Sequence, residues 1–460
     1  MNYLDKTLLS IDDVEKTDAK KTIQMYKKHV NPGFALLASM VGFDKVYIRA
    51  QGCIIEDSEG HQYLDCLGGY GSLNIGHNHP YLVENLERVK TKPVILQAGI
   101  NPYMAALAHN LSFLTGGALN KAFFCNSGAE AVEGALKLAR AASGKSRFVY
   151  CNNSFHGKTF GALSVTGRQK YRQCFQPLLS ECEEVEYGNT DQLEAILKNR
   201  DAAAFIVEPV QGEGGVIVPP EGYLRKVREI CSRLNVLFIA DEIQTGFGRT
   251  GRMFACEHEE VMPDIMCLAK SLGGGMAPAG AYITTEEVFK RAYGGMERCL
   301  LHTSTFGGNT YSCAAALLSL EVLHNEDLPK QAEEKGNYLL KRLYALKEKY
   351  EIVKDIRGKG LLAGIEFNNK IPGFLNRVSG SALEGLSDEY FAALVAGKLL
   401  NNYGILTAYT LNNPNVIRVE PPLIITYQQI DRFVDALEDI LKSRRGFLSM
   451  AAGSIRNIIK

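Results

Sequence analysis

A lysine that follows an apolar segment is the first residue whose surroundings suggest chemistry. Residues 263–269 read PDIMCLA, and Lys270 comes directly before SLGGG. A lysine at the end of a buried strand is partly desolvated, which lowers its pKa and lets the neutral amine form a Schiff base with a carbonyl compound. A solubilising surface charge is the ordinary alternative, although the three following glycines fit it poorly. The pattern makes Lys270 a candidate catalytic residue.

Two consecutive acids end another apolar segment. Residues 236–240 read VLFIA and lead into Asp241 and Glu242. Open α/β sheets bind ligands at the carboxyl ends of their strands, and a carboxylate buried there needs a partner because burying it alone is costly. An acid that caps a helix at a strand–turn junction would look the same. Asp241 is therefore a candidate for either role.

A small polar turn separates a strand from a helix near residue 127. Residues 122–125 read AFFC, and NSGAE follows at 126–130. The start of a helix presents free backbone N–H groups and the positive end of the helix dipole, which together attract phosphate. Ser127 adds a hydroxyl, and Gly128 lets the backbone approach an anion. An ordinary capped helix has the same composition, and this turn matches neither GxGxxG nor GxxxxGK[ST].

These three elements together fit one cofactor, pyridoxal phosphate. A helix N-terminus holds its phosphate, a buried acid keeps the pyridine nitrogen protonated so that the ring withdraws electrons, and a lysine carries the aldehyde. A metal site is not expected, because Cys256 and His258 lie two residues apart with no second pair of ligands nearby in the sequence.

The elements that must position these residues are predicted from hydrophobic patterns. Between about 75 and 320, short apolar strands alternate with amphipathic helices, the clearest being 129–142 and 222–234. This pattern predicts a mostly parallel sheet buried on both faces, as in a doubly wound α/β domain. The segments on either side predict an antiparallel meander at 46–65, a helix at 329–350 and a hairpin at 357–367. They also predict two later helices at 388–401 and 427–442 and two short strands at 404–408 and 416–419. Residues 367–390 have loop composition.

The composition excludes several classes of protein. The chain has 460 residues, 46% of them hydrophobic, and 51 Lys+Arg balance 51 Asp+Glu. A neutral chain has no overall attraction to nucleic acid or anionic lipid, and no apolar run reaches the roughly 18–20 residues of a membrane span. The first 16 residues contain too many acids for a signal peptide, and the 11 scattered cysteines form no CxxC pair. We therefore expect a cytoplasmic protein with no nucleic-acid or membrane partner.

Further motifs resemble those of the class III (omega) aminotransferases, which are fold type I pyridoxal-phosphate enzymes. Six blocks occur in the family's order, namely NSGAE at 126–130, FHG at 155–157, EPVQGEGG at 208–215, DEIQTGFGRTG at 241–251, LAK at 268–270 and TFGGN at 305–309. The segments CLGG, MFACEHE and IRVEPPL are similar to those of the putrescine aminotransferases, at 66–69, 253–259 and 417–423. The resemblance implies a large cofactor-binding α/β domain over 76–320 and a smaller α+β domain built from 1–75 and 321–460.

The resemblance implies a role for each residue around the cofactor ring. Lys270 would carry pyridoxal phosphate and move a proton during catalysis. Asp241 would pair with the pyridine nitrogen, and Gln244 would bond the 3-oxygen of the ring. Phe155 would stack on the ring face beside His156.

Other matched positions are implied to hold the phosphate or to line the pocket. Ser127, Gly128 and Ala129 would bind the phosphate, and Glu208 would lie in the same pocket. Thr305 matches a residue that reaches the phosphate of the neighbouring subunit in this family, which implies a homodimer with shared active sites.

Two charged residues are implied to select the substrate. In relatives that act on ornithine or 4-aminobutyrate, residues at the positions of Glu213 and Arg418 act as a switch. The arginine binds the carboxylate of the 2-oxo acid, and it pairs with the glutamate when the amine donor has no carboxylate there. A planar guanidinium suits this task because it binds carboxylates bidentately. The alternative for each residue is an ordinary surface ion pair.

We therefore expect a ping-pong aminotransferase that moves an amino group from a diamine or ω-amino compound, such as putrescine, to a 2-oxo acid, with 2-oxoglutarate as the expected acceptor. The reverse direction would aminate an aldehyde in secondary metabolism. The alternatives are an aminotransferase of the 4-aminobutyrate or ornithine type, a pyridoxal-phosphate aminomutase or racemase, and a catalytically silent dimeric scaffold. The long segment 367–390 and the basic tail after Lys442 depart from the family's pattern and bear on the identity of the amine.

Overall fold

A computed structural model describes residues 8–95, 98–199, 201–368 and 381–442. Its helical segments are α1 (Ile11–Glu15), α2 (Ala19–His29), α3 (Pro32–Val41), α4 (Gly68–Gly71), α5 (Pro80–Leu86), α6 (Pro102–Leu114), α7 (Gly128–Ser143), α8 (Phe160–Ser164), α9 (Gln169–Arg172), α10 (Thr190–Leu197), α11 (Tyr223–Leu234), α12 (Glu286–Tyr293), α13 (Thr310–Asn325), α14 (Leu328–Lys349), α15 (Ser381–Tyr403) and α16 (Tyr427–Lys442). Segment α4 is a single turn in which all four residues have positive φ. Short 3₁₀ turns occupy Glu87–Val89, Gln173–Phe175, Ala255–Glu259 and Lys270–Gly273. The strands are β1 (Tyr47–Gln51), β2 (Ile54–Asp57), β3 (Gln62–Asp65), β4 (Lys121–Cys125), β5 (Arg147–Cys151), β6 (Cys182–Val185), β7 (Ala202–Val207), β8 (Leu237–Asp241), β9 (Ile265–Leu268), β10 (Gly280–Thr284), β11 (Val353–Lys359), β12 (Leu362–Phe367), β13 (Ile405–Leu406), β14 (Ala408–Tyr409) and β15 (Val416–Val419).

The largest sheet has the strand order β4-β10-β9-β8-β7-β5-β6. The neighbours from β9 to β6 pair in parallel, whereas β10 runs antiparallel to both β9 and β4. The predicted mostly parallel α/β sheet is therefore confirmed, with β10 as the reversed strand.

Helices cover both faces of this sheet because alternate strand residues point to opposite sides. Ile206 of β7 packs in one apolar cluster with α7, whereas Phe205 and Val207 pack in another with α11. All the residues of β7, β8 and β9 are buried. Burial on both faces explains why these strands read as continuous apolar runs.

Two smaller sheets complete the α+β part of the fold. The predicted meander forms β1-β2-β3, and β13 extends it by pairing in parallel with β3. Segments from before and after the large sheet therefore share one small sheet. The second small sheet has the order β11-β12-β15-β14. The division into 1–75, 76–320 and 321–460 stays a prediction.

The segment between β12 and β13 differs in part from its prediction. Helix α15 begins at Ser381, so the loop predicted over 367–390 is wrong over its last ten positions. The helix starts before residue 388, where its apolar repeat begins in the sequence. Residues 369–380 and the basic tail from 443 lie outside the described residues. Within the described ranges, no helix has the length and hydropathy to cross a membrane.

Candidate active site

A cavity of about 720 Å³ opens where the strands of the large sheet end. Ten residues singled out from the sequence line it, namely Ser127, Gly128, Ala129, Phe155, His156, Glu208, Glu213, Asp241, Gln244 and Lys270. They follow or end β4, β5, β7, β8 and β9, which brings together residues from distant parts of the chain, as expected of an open α/β sheet.

Lys270 lies two residues beyond the end of β9 and lines the cavity. Its φ of +49° lies in the left-handed region, which costs free energy for a residue with a side chain and is common at functional sites. The Nζ atom donates a hydrogen bond to Gln244 Oε1. Burial lowers the pKa of Lys270 below its usual range, and the charge of Glu420 opposes this shift. The lowered pKa favours the neutral, nucleophilic amine.

Asp241 ends β8 and is buried against a histidine. His156 Nδ1 lies 2.6 Å from Asp241 Oδ2, and the N–H of Ile243 donates to Oδ1 at 3.1 Å. His156 is therefore the partner that a buried carboxylate needs. The Nε2 atom of His156 is buried and has no hydrogen-bond partner among the described residues.

The N-terminus of α7 forms one wall of the cavity. Ser127 is the N-cap residue, and its Oγ accepts from the N–H of Glu130 at 3.3 Å and donates to the Glu130 carboxylate at 3.1 Å. The first N–H groups of a helix have no intrahelical acceptor, so those of Gly128 and Ala129 are available to an anion in the cavity. A Cβ atom on Gly128 would lie 2.9 Å from Ile243 Cδ1, so a larger residue would not fit there.

Glu208 follows β7 and is buried at the back of the cavity. The N–H groups of Phe155 and Gly212 donate to its two carboxyl oxygens at 2.9 and 3.1 Å. Burial raises the pKa of Glu208 to about 7, because His156 and these hydrogen bonds offset only part of the cost of desolvation and Asp241 adds to it. Glu208 therefore fixes the loop that carries Phe155 and His156.

Arg418 of β15 lies behind the cavity wall and is fully buried. Its Nη1 atom is 2.8 Å from Glu213 Oε1, and its Nε atom is 3.2 Å from Glu420 Oε2. Neither contact is aligned for a hydrogen bond, and no other described residue bonds the guanidinium nitrogens. The ring of Tyr70 stands 5.2 Å from the guanidinium carbon. The predicted pair of Glu213 and Arg418 is thus formed inside the protein and is not a surface ion pair.

Three residues near the cavity were not identified from the sequence as site residues. Glu420 accepts a hydrogen bond from Gln244 Nε2 at 2.6 Å, and Tyr70 covers Arg418. Lys158 lines the cavity and its Nζ stands 5.9 Å from the centre of the Phe155 ring. The alternation of a strand could have indicated Glu420, because it lies two residues after Arg418 and shares its face.

Thr305 is placed apart from the other predicted residues. It lines a second cavity of about 380 Å³ together with Ile100, Met104 and His302. Within one chain, therefore, the structure does not bring Thr305 to the cavity of Lys270.

The larger cavity fits pyridoxal phosphate by the chemistry of its walls. A buried carboxylate, a partly desolvated lysine and an open helix N-terminus face one space, and they match a pyridinium nitrogen, an aldehyde and a phosphate. In the described ranges no cluster of three or more His, Cys, Asp or Glu side chains could hold a metal ion.

Comparison with known proteins identifies the family of the chain. Residues 39–441 match the family described as aminotransferase class-III. The ornithine aminotransferase of Toxoplasma gondii ME49 is 32% identical, with a TM-score of 0.82, and the match covers 93% of this chain and 97% of that one. The acetylornithine aminotransferase of Elizabethkingia anophelis is also 32% identical, with a TM-score of 0.74 and coverage of 93% and 99%.

An amine transaminase from an uncultivated Pseudomonas species, solved in its PLP-bound form, is 32% identical with a TM-score of 0.78 and coverage of 86% and 94%. These similar proteins are named for different amine substrates, so the similarity does not single out the putrescine aminotransferases. The chain belongs to the class III aminotransferases and is a transaminase that depends on pyridoxal phosphate.

Proposed function

We propose that the protein transfers the amino group of a diamine or ω-amino compound to a 2-oxo acid, with putrescine and 2-oxoglutarate as the first candidates. The observation that carries the proposal is the buried pair of Arg418 and Glu213 beside the cavity of Lys270. A paired arginine suits a donor without a carboxylate at that position, and an arginine released from Glu213 suits an oxo acid. One site can therefore serve both halves of a ping-pong reaction.

The residues around Lys270 support the assignment of the cofactor contacts. Pyridoxal phosphate, when bound, supplies the carbonyl that accepts the amino group and the ring that withdraws electrons. Lys270 would hold it through Nζ and move the proton between substrate atoms. Asp241, oriented by His156, would keep the ring nitrogen protonated.

Other cavity residues would fix the position of the cofactor. Phe155 would contact the face of its ring. Gln244 Nε2 donates to Glu420 at 2.6 Å and to the Tyr70 carbonyl oxygen at 3.4 Å, and it would bond the 3-oxygen of the cofactor by giving up the longer of these two bonds. The N–H groups of Gly128 and Ala129 would bind the phosphate. Ser127 would join them by rotating its hydroxyl away from Glu130.

A dicarboxylic acceptor is supported by a second cation at the cavity. Lys158 lines the wall, held by the rings of Phe155 and Tyr171 at 5.9 and 4.8 Å from Nζ. Arg418, which pairs with the cavity residue Glu213, is the first cation. Two cationic groups suit the two carboxylates of 2-oxoglutarate, whereas a monocarboxylate would leave one of them without a partner.

An ornithine-type aminotransferase is the second candidate, because ornithine and acetylornithine aminotransferases are among the similar structures. Ornithine carries both a distal amine and an α-carboxylate. A 4-aminobutyrate donor, an aminomutase and a racemase are distinguished from these by their products. A silent scaffold would not need Lys270 and Asp241 in one cavity.

A homodimer with shared active sites is also part of the proposal. Ile100 lines the same cavity as Thr305 and is 91% exposed in the single chain. Met296 and Leu300, which precede Thr305 in the sequence, are 94% and 79% exposed. Exposed apolar groups of this kind mark protein interfaces. Thr305 on such a surface could reach the phosphate of a second copy.

A panel of donors tests the proposal. The holoenzyme is supplied with 2-oxoglutarate and, separately, putrescine, ornithine, acetylornithine or 4-aminobutyrate, and glutamate is measured. We expect the highest kcat/KM with putrescine, and no glutamate formation by the Lys270→Ala control. A clear preference for ornithine would establish the second candidate. No glutamate with any donor would refute the proposed reaction.

A further inference from the structure

Glu420 is a buried carboxylate to which neither the sequence nor the proposed reaction assigns a role. Its exposed fraction is 0%, as is that of Arg418 two residues before it. A carboxylate buried this deeply requires a charged partner or several hydrogen-bond donors. Its contacts are therefore informative about what its charge does.

Glu420 connects the arginine to the lysine through direct contacts. Its Oε2 atom is 3.2 Å from Arg418 Nε, and its Oε1 atom accepts from Gln244 Nε2 at 2.6 Å. Gln244 in turn accepts from Lys270 Nζ. The carboxylate thus faces the substrate-binding arginine on one side and the catalytic lysine, through one amide, on the other.

The backbone packed over this link holds it in place. Four consecutive residues from Gly68 to Gly71 have positive φ angles between 56° and 79°. A Cβ atom on Gly71 would lie 2.3 Å from Gln244 Nε2 and 3.3 Å from Glu420 Oε1, and one on Gly68 would lie 2.4 Å from the Glu420 carbonyl oxygen. The glycines allow this close approach, so the turn packs directly against Gln244 and Glu420.

Glu213 and Glu420 differ in their freedom although both approach Arg418. Glu213 lines the cavity, and the N–H of Leu411 donates to its Oε2 atom at 2.8 Å. Glu420 does not line the cavity and is enclosed by Arg418, Gln244 and the glycine turn. An incoming carboxylate can displace Glu213 from Arg418, but it cannot displace Glu420.

The fixed charge has different consequences for different ligands. With Glu420 in place, Arg418 is already neutralised from behind when a substrate carboxylate replaces Glu213. The carboxylate then meets a neutral pair and not a free cation, which weakens its binding. Arg249 is a second fully buried cation that interacts with Glu420, so the charges of Arg418, Arg249, Glu213 and Glu420 balance. A second ammonium group on the donor is therefore repelled less than it would be if Glu420 carried no charge.

We propose that Glu420 is a specificity-determining residue whose permanent negative charge behind Arg418 favours diamine donors over amino acids and weakens the binding of dicarboxylates. This inference rests on the proposed function, since it assigns the donor class of the same site. Glu420 touches neither substrate nor cofactor and acts through Arg418 and Gln244.

The test compares Glu420→Gln with the wild-type holoenzyme. Glutamine keeps the shape and removes the charge, and its one amide oxygen can face either Gln244 or Arg418, whereas the carboxylate faces both. We expect glutarate, a dicarboxylate with no group to exchange, to bind on the order of tenfold more tightly by isothermal titration calorimetry. The ratio of kcat/KM for putrescine to that for ornithine should fall by about the same factor. Unchanged glutarate affinity and an unchanged ratio would overturn the proposal.

Control variants separate charge from structure. Glu242→Gln removes another fully buried glutamate, one that bonds Thr245 and the N–H of Cys256, and should change neither quantity. If Glu420→Gln instead caused a structural defect, both the affinity for glutarate and kcat/KM for putrescine would fall. That outcome would also refute a role for the charge. Should Glu420→Gln not fold, Glu420→Ala serves, because a water can fill the space that it leaves. A wild-type enzyme inactive with every donor would refute the proposed function, whereas glutarate affinity still reports on Glu420.

Discussion

Replacing Arg418 by methionine should separate the two half-reactions. The guanidinium is fully buried and pairs with Glu213 at 2.8 Å, so a substrate carboxylate that displaces Glu213 can accept two charge-assisted hydrogen bonds from it. Such a bidentate pair contributes about 3–4 kcal/mol. We therefore expect Arg418→Met to lower kcat/KM for 2-oxoglutarate by about 10²- to 10³-fold.

The amine half-reaction should respond much less, because putrescine has no carboxylate to place on Arg418. Each half-reaction is followed separately by stopped-flow absorbance of the bound cofactor, and near-UV circular dichroism checks the fold. Arg418→Lys keeps the charge without the planar fork and should give an intermediate loss. Equal losses in both half-reactions would refute the role of Arg418 as the acceptor-binding residue.

Three other changes test the remaining parts of the site. Lys270→Ala should abolish turnover while circular dichroism shows a folded protein; measurable turnover would exclude Lys270 as the residue that holds the cofactor. Gly71→Ala should lower kcat about tenfold or more by displacing Gln244. Gly60 also has a positive φ, but a Cβ atom there would meet nothing within 4 Å, so the control Gly60→Ala should lose only about 1 kcal/mol of stability. Equal activities of the two variants would contradict the packing of Gln244. The pKa of Glu208 is raised from 4.5 to about 7, so its contribution to the free energy of unfolding is present below pH 4.5 and is lost as the pH rises through 7. Urea titration of the apo-protein should show that wild type loses up to about 3 kcal/mol relative to Glu208→Gln between pH 4.5 and 8; a constant difference would contradict the shift.

Local sequence signals were sufficient for the elements that begin and end at the site. Strand β4 and helix α7 are predictable because an apolar run, a serine cap and a helical repeat lie next to each other in the chain. Lys270 and Asp241 were identified because each follows a buried strand. Their positions at the same edge of the sheet follow from the parallel order of the strands.

The contacts that tune the site depend on residues far apart in the chain. His156 and Asp241 are 85 residues apart, and Gln244 and Glu420 are 176 apart, so no local pattern could pair them. The prediction for residues 367–390 failed for a different reason. Their glycine and serine content suggested a loop, but α15 begins within this segment at Ser381. Helix packing by residues beyond 390 overrides weak local propensity there.

An absorbance titration of the purified holoenzyme tests the central proposal most directly. Putrescine added alone should bleach the band of the lysine-bound cofactor, and 2-oxoglutarate added afterwards should restore it. Bleaching by ornithine but not by putrescine would contradict the diamine assignment and leave the aminotransferase in place. A band that no amine bleaches would contradict amino transfer by this site altogether.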